Sequence, residues 1–453
     1  MASDDTIHAL VNYEDDYVQP LILSALEKRV SPAKCQLISS VAQLPSPTSR
    51  LLQFVQYESI DFDHLMEHYS TSLANAYIIR KALIRKHYLS TTIANWITKH
   101  PNSLLKRHVK PSVEFEVDYA EFLDDALIEA WELKESWKRN EEEEEAEKKE
   151  WWILKPGMSE RGQGIRLFSS EEELTEIFEG WDPESDDEDE NEARSDAGAT
   201  SQEKQEDGKG IITSQLRHFI AQPYIHPPLL LSPPSSNPSP ENSPDTLRKF
   251  HIRTYVLCVG ALKVYVYKPM LALFAARQYI PPWDQVLQDD LEEAMKSHLT
   301  NTCLQDTNER EGSVGLFWSL PESLPTQAGA AVQPPSNPGW KDDVFEQICG
   351  ITGEVFEAAA RSMGIHFQPL PNAFELFGLD FMVGIEGDGE LRTWLLEVNA
   401  FPDFRQTGGE LKGLVGELFE GVVEKGIKPF FGVEEEKANE NMVQALDIDL
   451  GRR

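Results

Sequence analysis

The chain has 453 residues, of which 40% are hydrophobic, and this is enough to bury the cores of a large enzyme with several lobes. Its 77 Asp and Glu against 42 Lys and Arg give a formal net charge of −35, so an acidic partner would require a locally basic surface. The four cysteines form no CxxC pair, no apolar run approaches ~20 residues and the acidic N-terminus lacks a secretory signal, which together predict a cytoplasmic protein with no membrane partner.

The first lobe is predicted to cover residues 1–112. IHALVNY and LLQFVQYE have the alternating pattern of strands, and LILSALEKRV and ANAYIIRKALIRKHYLSTTIANWITKH have that of helices. Residues 80–112, the basic strip, contain eight Lys or Arg and no Asp or Glu. We expect Arg80, Lys81 and Arg85 in this strip to attract an acidic peptide. A solvated helix face is the alternative, and direct RNA binding is not favoured because no aromatic stacking series accompanies the basic residues.

The second lobe, residues 113–247, is predicted to hold an acidic helix followed by a glycine-rich hairpin. In WWILKPGMSERGQGIRLF a strand ends at Lys155, and a polar loop with Gly162 and Gly164 precedes a second strand. Glycines let backbone N–H groups approach phosphate oxygens, and Lys155 supplies a positive charge. No helix follows the loop, which excludes a P-loop or a dinucleotide fingerprint. An ordinary mobile turn is the alternative.

The third lobe, residues 248–432, contains the stretch FELFGLDFMVGIEGDGELRTWLLEVNAFPDF, in which charged residues interrupt apolar strands. A two-residue turn at 388–389 would place Asp380 opposite Glu397, with Asn399 on the same face. Carboxylates this close repel each other unless a cation lies between them, and an all-oxygen set with few protein ligands suits magnesium that carries phosphates. A solvated hairpin face is the alternative.

Several segments are predicted to lack a fold of their own. Residues 182–210, 232–245 and 321–339 are too poor in apolar residues to offset the entropy cost of ordering. Residues 433–453 are predicted to form a flexible acidic tail after the closing helix GELKGLVGELFEGVVEKGI.

Five motifs in this order resemble the tubulin-tyrosine ligase family: WILKP…RGQGIRLF, IAQPYIHPPLLL, RKFHIRTYVL, HLTNTCLQ and ELFGLDFMV…LLEVN. The resemblance covers about residues 50–430, and the wording of RKALIRKHYLS, DYAEFLDDAL and KFHIR looks most like the fungal subgroup linked to cytoplasmic mRNA-decay granules, the P-bodies. It implies the α/β (α+β) class and an ATP-grasp fold with N-terminal, central and C-terminal lobes, in which nucleotide lies between β-rich lobes. It also implies ATP and Mg²⁺ as cofactors and mRNA-decay proteins as partners.

The resemblance also implies a role for each matching residue. Lys155 and Arg253 would act on the phosphates during catalysis, and residues 222–225 would contact adenine. The nucleotide-binding set would be Lys155, Gly162, Gln163, Gly164, Gln222, Pro223, Tyr224, Ile225, Lys249, His251, Thr300 and Asn301, and the metal ligands would be Asp380, Glu397 and Asn399.

Two positions depart from the pattern of the family. His251 replaces a carboxylate that relatives use for the nucleotide sugar, and Leu273 replaces an arginine that relatives use for the incoming substrates. Nucleotide binding is therefore a firmer expectation than ligation. The predicted function is an ATP- and Mg²⁺-dependent ligase that adds an amino acid to an acidic protein tail, such as the tubulin C-terminus, through an acyl phosphate. The alternative is a catalytically weak nucleotide-binding scaffold in P-bodies.

Overall fold

The computed structural model describes residues 5–157, 162–181, 216–234, 247–286, 291–300, 313–327, 332–336, 338–407, 411–434 and 440–451. The chain divides into two compact units. Unit 1 combines Met1–Pro111 with Ile225–Arg453, and unit 2 is Ser112–Tyr224. Unit 1 thus joins most of the predicted N-terminal and C-terminal lobes, and unit 2 ends before the predicted boundary at 247 because the strands after 229 pair with the sheet of unit 1. The three-lobe boundaries themselves stay a prediction.

The strands are β1 (Ile7–Asn12), β2 (Cys35–Ile38), β3 (Arg50–Val55), β4 (Ser72–Ala74), β5 (Val113–Glu116), β6 (Trp152–Pro156), β7 (Arg166–Phe168), β8 (His218–Pro223), β9 (Leu230–Leu231), β10 (Arg248–Val259), β11 (Lys263–Tyr267), β12 (Leu271–Phe274), β13 (Val314–Leu316), β14 (Phe374–Ile385), β15 (Leu391–Ala400) and β16 (Met442–Asp447). The α-helices are α1 (Gln19–Arg29), α2 (Phe62–Glu67), α3 (Lys81–Ile84), α4 (Lys86–Lys99), α5 (Leu105–His108), α6 (Leu123–Ala126), α7 (Trp131–Glu142), α8 (Glu171–Glu179), α9 (Leu291–Met295), α10 (Trp340–Ser362), α11 (Lys412–Val422) and α12 (Lys428–Phe431), with a π-helical turn at Val423–Ile427.

Unit 1 begins with a parallel sheet in the order β2-β1-β3-β4. The predicted strands IHALVNY and LLQFVQYE and the helix LILSALEKRV are confirmed as β1, β3 and α1. The single long helix predicted over 74–100 is instead α3 and α4, because Arg85 between them has extended backbone, with a φ of −102° and a ψ of 122°.

The large sheet of unit 1 has the order β13-β12-β10-β11-β16, with β14 and β9 also paired to β10 and β15 paired to β14. Side chains alternate between the two faces of a strand, so β10 contributes side chains to two hydrophobic cores, one on each face. Phe250, Ile252 and Val256 pack in the core that contains α10, whereas Tyr255 and Leu257 pack in the core shared with β1 and α11. The position of β10 at the centre of this sheet explains its nearly continuous burial.

The β14–β15 hairpin reaches its predicted register by an unpredicted route. The N–H group of Glu386 donates a hydrogen bond to the carbonyl oxygen of Glu390, so the turn between them contains three residues, 387–389. Gly389 in this turn has a φ of 86°. This longer turn would place Leu396 opposite Asp380. A bulge between Asp380 and Phe381 in the pairing register restores the predicted pairing of Asp380 with Glu397.

Unit 2 is built on the antiparallel sheet β5-β8-β6-β7. The predicted glycine-loop hairpin joins β6 to β7, although residues 158–161 of its loop lie outside the described residues. The acidic helix predicted over 119–150 is broken into α6, α7 and short 3₁₀ turns, and its aliphatic side chains pack against the sheet. Helix α8 begins after Ser170, whose Oγ accepts a hydrogen bond from Glu173 N–H at 3.1 Å.

The segment near the C-terminus differs from the predicted flexible tail. Residues 442–447 form β16, which pairs with β11, and Leu446, Ile448 and Leu450 pack against the large core. Gly353 of α10 allows this close approach, because a Cβ there would lie 2.6 Å from the carbonyl oxygen of Ala445. The alternating apolar residues of MVQALDI supply the strand pattern that the acidic surroundings conceal.

The other predicted unfolded segments have mixed outcomes. Residues 182–210 and 235–245 lie outside the described residues. Residues 321–327, 332–336 and 338–339 carry no helix or strand, yet Gln327 is buried and exchanges hydrogen bonds with Gln333. None of the helices in the described ranges has the length and apolar character needed to cross a bilayer.

Candidate functional site

Three basic side chains lie on one face of β10. Lys249, His251 and Arg253 occupy alternate positions and therefore share a face. All three are buried, with 3%, 4% and 7% of their surface exposed. Burial of basic groups is costly unless acids or hydrogen-bond acceptors lie close to them, so this row requires partners on the neighbouring strands.

Asp380 is the acid that pairs with this row. It lies opposite Arg253 across the β10–β14 pair. Arg253 Nη2 donates to Asp380 Oδ2 at 2.9 Å, and Arg253 Nε donates to Asp380 Oδ1, which makes the pair bidentate. Burial acts to lower the pKa of Arg253, but the charge of Asp380 and its hydrogen bonds outweigh burial and hold that pKa well above its usual range.

Gly378 gives Arg253 and the end of β15 room to approach Asp380. It lies two residues before Asp380 on β14 and opposite Asn399. A Cβ at Gly378 would lie 2.9 Å from Pro402 Cβ and 3.4 Å from Arg253 Cδ. The glycine in the FGLD motif is thus explained by close packing around the ion pair.

His251 adds a polar atom that has no hydrogen bond of its own. Its Nδ1 shares a hydrogen bond of 2.5 Å with Thr300 Oγ1, and its Nε2 lies 3.6 Å from Asp380 Oδ1. Burial lowers the pKa of His251, so the ring is neutral at neutral pH. Nε2 has no hydrogen-bond partner among the described residues, and a buried ring nitrogen of this kind is suited to a ligand hydroxyl or amine.

Glu397 and Asn399 complete the polar cluster. Asn399 Nδ2 donates to Asp380 Oδ2 at 3.4 Å and to Glu397 Oε1 at 3.2 Å. Glu397 is the more open of the two carboxylates, because 30% of its side chain is exposed and 6% of that of Asp380. Lys86, at the start of α4, lies 3.4 Å from Glu397 Oε2.

The spacing of this cluster fits a magnesium ion. Ligand oxygens lie ~2.1 Å from Mg²⁺ and hence roughly 3 Å from one another, which matches the separations around Asn399. A half-turn of the Asn399 amide would present its oxygen in place of its nitrogen. Within the described ranges, no group of three or more His, Cys, Asp or Glu side chains could hold a metal, so two carboxylates and an amide would leave the other positions to water or phosphate.

In unit 2, Lys155 and Gln222 lie on one face of the sheet. Lys155 Nζ donates to Gln222 Oε1 at 2.8 Å, and Gln222 Nε2 donates to Ser112 Oγ at 2.7 Å. Gly162 and Gly164 have φ values of 81° and 73°, which L side chains rarely adopt. The loop therefore needs its glycines, and Gln163 between them is exposed.

The predicted adenine hinge lies at the end of β8. Pro223 pairs with Trp152 in the ladder, and Tyr224 N–H donates to Trp151 carbonyl at 2.8 Å. The last hinge residue, Ile225, belongs to unit 1 and packs against Met382 and Trp394.

Sequence analysis missed two of the residues in this region. Met382 lies two positions after Asp380 on the same face of β14, so the apolar cluster around Ile225 adjoins the carboxylates. Lys86 was counted in the basic strip without a link to Glu397. Met382 could have been found from strand periodicity, whereas no sequence signal joins Lys86 to a residue 311 positions away.

Other predicted residues have different environments. Arg80 is largely buried, because its Nε lies 2.9 Å from Glu375 Oε1 and its guanidinium lies 3.9 Å from the centre of the Tyr57 ring. Lys81 is exposed and Arg85 is half-buried. The structure therefore does not bring the three together as an open surface.

Leu273 and Asn301 complete the predicted positions. Leu273 lies opposite His251 on β12 and is buried in an apolar core, so its side chain supplies no positive charge at this position. Thr300 contacts His251, whereas Asn301 lies outside the described residues.

Comparison with solved structures defines the class of this protein. The C-terminal domain of K. lactis Pby1, described as an ATP-grasp enzyme interacting with the mRNA decapping enzyme Dcp2, matches 98% of this chain and 99% of that domain. The TM-score is 0.66 and the sequence identity is 34%. The predicted ATP-grasp fold is confirmed.

The family follows from comparison of sequences. The model of the tubulin-tyrosine ligase family matches residues 66–436, and the chain belongs to this family. It is 42% identical to Probable tubulin–tyrosine ligase C12B10.04 of Schizosaccharomyces pombe over 427 residues, which are 94% of this chain and 92% of that protein. It is 40% identical to Probable tubulin–tyrosine ligase PBY1 of Saccharomyces cerevisiae over 444 residues, or 95% of this chain, and spans about half of that protein, 54%.

Proposed function

We propose that this protein is an ATP- and Mg²⁺-dependent ligase that joins an amino acid to an acidic protein tail. The observation that carries the proposal is the polar cluster of Asp380, Glu397 and Asn399 beside the buried basic row of β10. Membership of the tubulin-tyrosine ligase family and the ATP-grasp fold supply the expected reaction.

Each unit offers groups suited to one part of the nucleotide. In unit 1, the apolar cluster of Ile225, Met382 and Trp394 offers a surface for the base, and His251 Nε2 can accept or donate one hydrogen bond to the sugar. In unit 2, Lys155 and the backbone between Gly162 and Gly164 offer positive charge and N–H groups for phosphates. In unit 1, Lys249 on β10 would offer another positive charge to phosphate oxygens.

The acidic cluster and the guanidinium of Arg253 would have different roles in phosphoryl transfer. When bound, Mg²⁺ would supply positive charge that offsets the negative charge of the phosphates. Asp380, Glu397 and Asn399 would hold it. Arg253, freed in part from Asp380, would neutralise the charge that develops on the transferred phosphoryl group.

The reaction proceeds in two balanced steps. A carboxylate oxygen of the peptide bonds to the γ-phosphorus as the bond to ADP breaks, which forms an acyl phosphate. The amine of the amino acid then bonds to the acyl carbon, phosphate leaves, and the nitrogen loses a proton. Arg253 is the side chain that we assign to stabilise both phosphoryl species.

The acceptor is proposed to be acidic, with the tubulin C-terminal tail as an example. Lys81 is exposed and would attract such an acceptor, whereas Arg80 is paired with Glu375. We expect the protein to act in the cytoplasm.

A second candidate is a nucleotide-binding scaffold in P-bodies. Leu273 favours it, because this buried apolar residue stands where relatives carry a substrate-binding arginine. The K. lactis relative is described as interacting with Dcp2, so mRNA-decay proteins are candidate partners of this chain as well. Direct RNA binding is not part of either proposal.

Two measurements test the proposal. Binding of ATP with and without Mg²⁺ is compared between the parent and Glu397→Gln, with the exposed Glu390→Gln on the same hairpin as the matched control. We expect Glu397→Gln to weaken Mg²⁺-dependent ATP binding by at least about tenfold. Equal affinity in all three proteins would contradict the metal assignment.

Ligation is tested by mass spectrometry of acidic tail peptides, including tubulin C-termini, after incubation with ATP, Mg²⁺ and each amino acid. An added residue that requires Arg253 would support the ligase. ATP binding without any addition would favour the scaffold.

A further inference from the structure

One segment of unit 2 buries its leucine side chains and leaves its aromatic side chains and Ile128 exposed. Residues 117–133 contribute Leu123, Leu127 and Leu133 to the core of this unit, where each is at most 2% exposed. These three leucines pack the segment against the core of unit 2. The remaining large apolar residues of the segment are therefore not required by its own core.

Four such residues face solvent: Tyr119, Phe122, Ile128 and Trp131, with exposures of 49%, 48%, 60% and 68%. Tyr119 and Phe122 have their ring centres 6.3 Å apart, edge to face, so the two rings form one apolar surface. The described residues include nine large hydrophobic side chains with this degree of exposure, and four of them fall within these 13 positions. Such clustering marks an interaction site more often than scattered exposure does.

The charge around these four residues has one sign. Residues 113–133 contain eight Asp or Glu and no Lys, Arg or His. Asp118 is paired with Arg217, and Glu116 lies 3.1 Å from His218. Five other carboxylates of the segment are exposed and make no ion pair among the described residues, namely Glu121, Asp124, Asp125, Glu129 and Glu132.

We propose that residues 119–132 form a docking surface for a short basic segment of another protein that also carries apolar side chains. Tyr119, Phe122, Ile128 and Trp131 would bury apolar partner residues, and the five carboxylates would attract Lys or Arg beside them. The same carboxylates repel nucleic acid and anionic membranes, which argues for a protein segment. This proposal concerns unit 2 by itself and does not depend on the proposed ligase activity.

The test begins with selection of short random peptides displayed on phage against the full chain. Enriched peptides are then synthesised with a fluorophore and titrated by anisotropy. The tested variant carries Tyr119→Ser, Phe122→Ser, Ile128→Ser and Trp131→Ser. The matched control carries Leu37→Ser, Met66→Ser and Ile365→Ser, which remove equally exposed apolar side chains of unit 1.

We expect the enriched peptides to combine Lys or Arg with apolar residues, and their affinity to fall at least about tenfold in the tested variant and to stay unchanged in the control. Binding should weaken as salt rises, because exposed charges are screened. Trp131→Ser alone should show a smaller loss in the same direction, and it keeps the test valid if the fourfold variant unfolds.

Three outcomes would overturn the proposal. Enriched peptides that bind both variants equally would place the binding surface elsewhere. Peptides without positive charge would remove the role of the carboxylates. A concentration-dependent dimer that the tested variant abolishes would identify a second copy of this chain as the occupant.

Discussion

Strand β14 carries two buried acid–cation pairs that look alike and differ in their surroundings. Glu375 pairs with Arg80, and five residues later Asp380 pairs with Arg253 on the opposite face of the strand. All four side chains are buried, with exposures between 1% and 10%. Burial therefore does not distinguish a structural pair from a candidate site.

The difference lies in what surrounds each carboxylate. Glu375 accepts one further hydrogen bond, from Tyr77 N–H at 3.1 Å, and the guanidinium of Arg80 is flanked by the rings of Tyr57 and Phe401. Asp380 instead adjoins a second carboxylate, an amide and the His251 ring nitrogen, which has no hydrogen bond within the part of the chain that the structure describes. We infer that a carboxylate with several polar neighbours and an open one beside it can exchange its cation for a metal, whereas a sealed pair cannot.

The largest expected effect comes from breaking the sealed pair. Arg80→Met should lower the free energy of unfolding by about 3 kcal/mol, because it leaves the buried carboxyl group of Glu375 without this partner and removes the cation between two rings. Urea denaturation measures this change. Lys81→Met, next to it and exposed, should change stability by no more than about 0.5 kcal/mol.

If Arg80→Met left stability intact but weakened binding of acidic peptides, Arg80 would belong to a substrate surface as the sequence predicts, and the contrast between the two pairs would fail.

The sealed pair should also give stability a pH dependence. Burial raises the pKa of Glu375 from 4.5 to about 8, although Arg80 and the Tyr77 N–H act to lower it. The folded protein thus holds a proton that the unfolded chain releases, so this contribution is complete below pH 4.5 and is lost as pH rises through about 8. The free energy of unfolding should fall by up to about 1.4 kcal/mol per pH unit in that range.

Glu375→Gln, which cannot titrate, checks this expectation. Urea denaturation at intervals across the range should show a shallower decline for the variant than for the parent. Parallel curves would mean that Glu375 has the same pKa in both states.

The smallest expected effect concerns Lys86 at the open site. Its ammonium group lies 3.4 Å from Glu397 Oε2, so it opposes a metal ion there. Lys86→Met should lower the Mg²⁺ concentration for half-maximal ATP binding by about fivefold, which corresponds to ~1 kcal/mol of removed repulsion. Lys99→Met, at the other end of α4, is the control. A rise in the required Mg²⁺ would instead assign Lys86 to phosphate binding.

The fold and family were predictable because both rest on local patterns. Alternation in β1 and β3 and five ordered motifs require no knowledge of distant contacts. The pairing of Asp380 with Glu397 was also predicted, but from a two-residue turn that the protein does not have. The longer turn and the bulge each shift the register by one residue, and the two shifts cancel.

Long-range contacts set the limit of the prediction. Arg80 reads as a surface residue because nothing near it in sequence reveals Glu375, which lies 295 positions later. β16 was hidden in the same way, since it becomes a strand by covering the edge of β11. The composition around Arg80 or β16 in the sequence does not reveal which distant residues each of them contacts in the folded protein.

The bulge at β14–β15 makes the polar cluster depend on how this hairpin pairs, and not only on which residues it contains. If the bulge were lost with the sequence unchanged, Leu396 would pair with Asp380, and Glu397 and Asn399 would turn to the opposite face of the sheet. Loss of Leu396 itself would remove only the extra residue and would leave Asp380 opposite Glu397. Leu396 is therefore the position at which the hairpin can lose one residue and keep the cluster together.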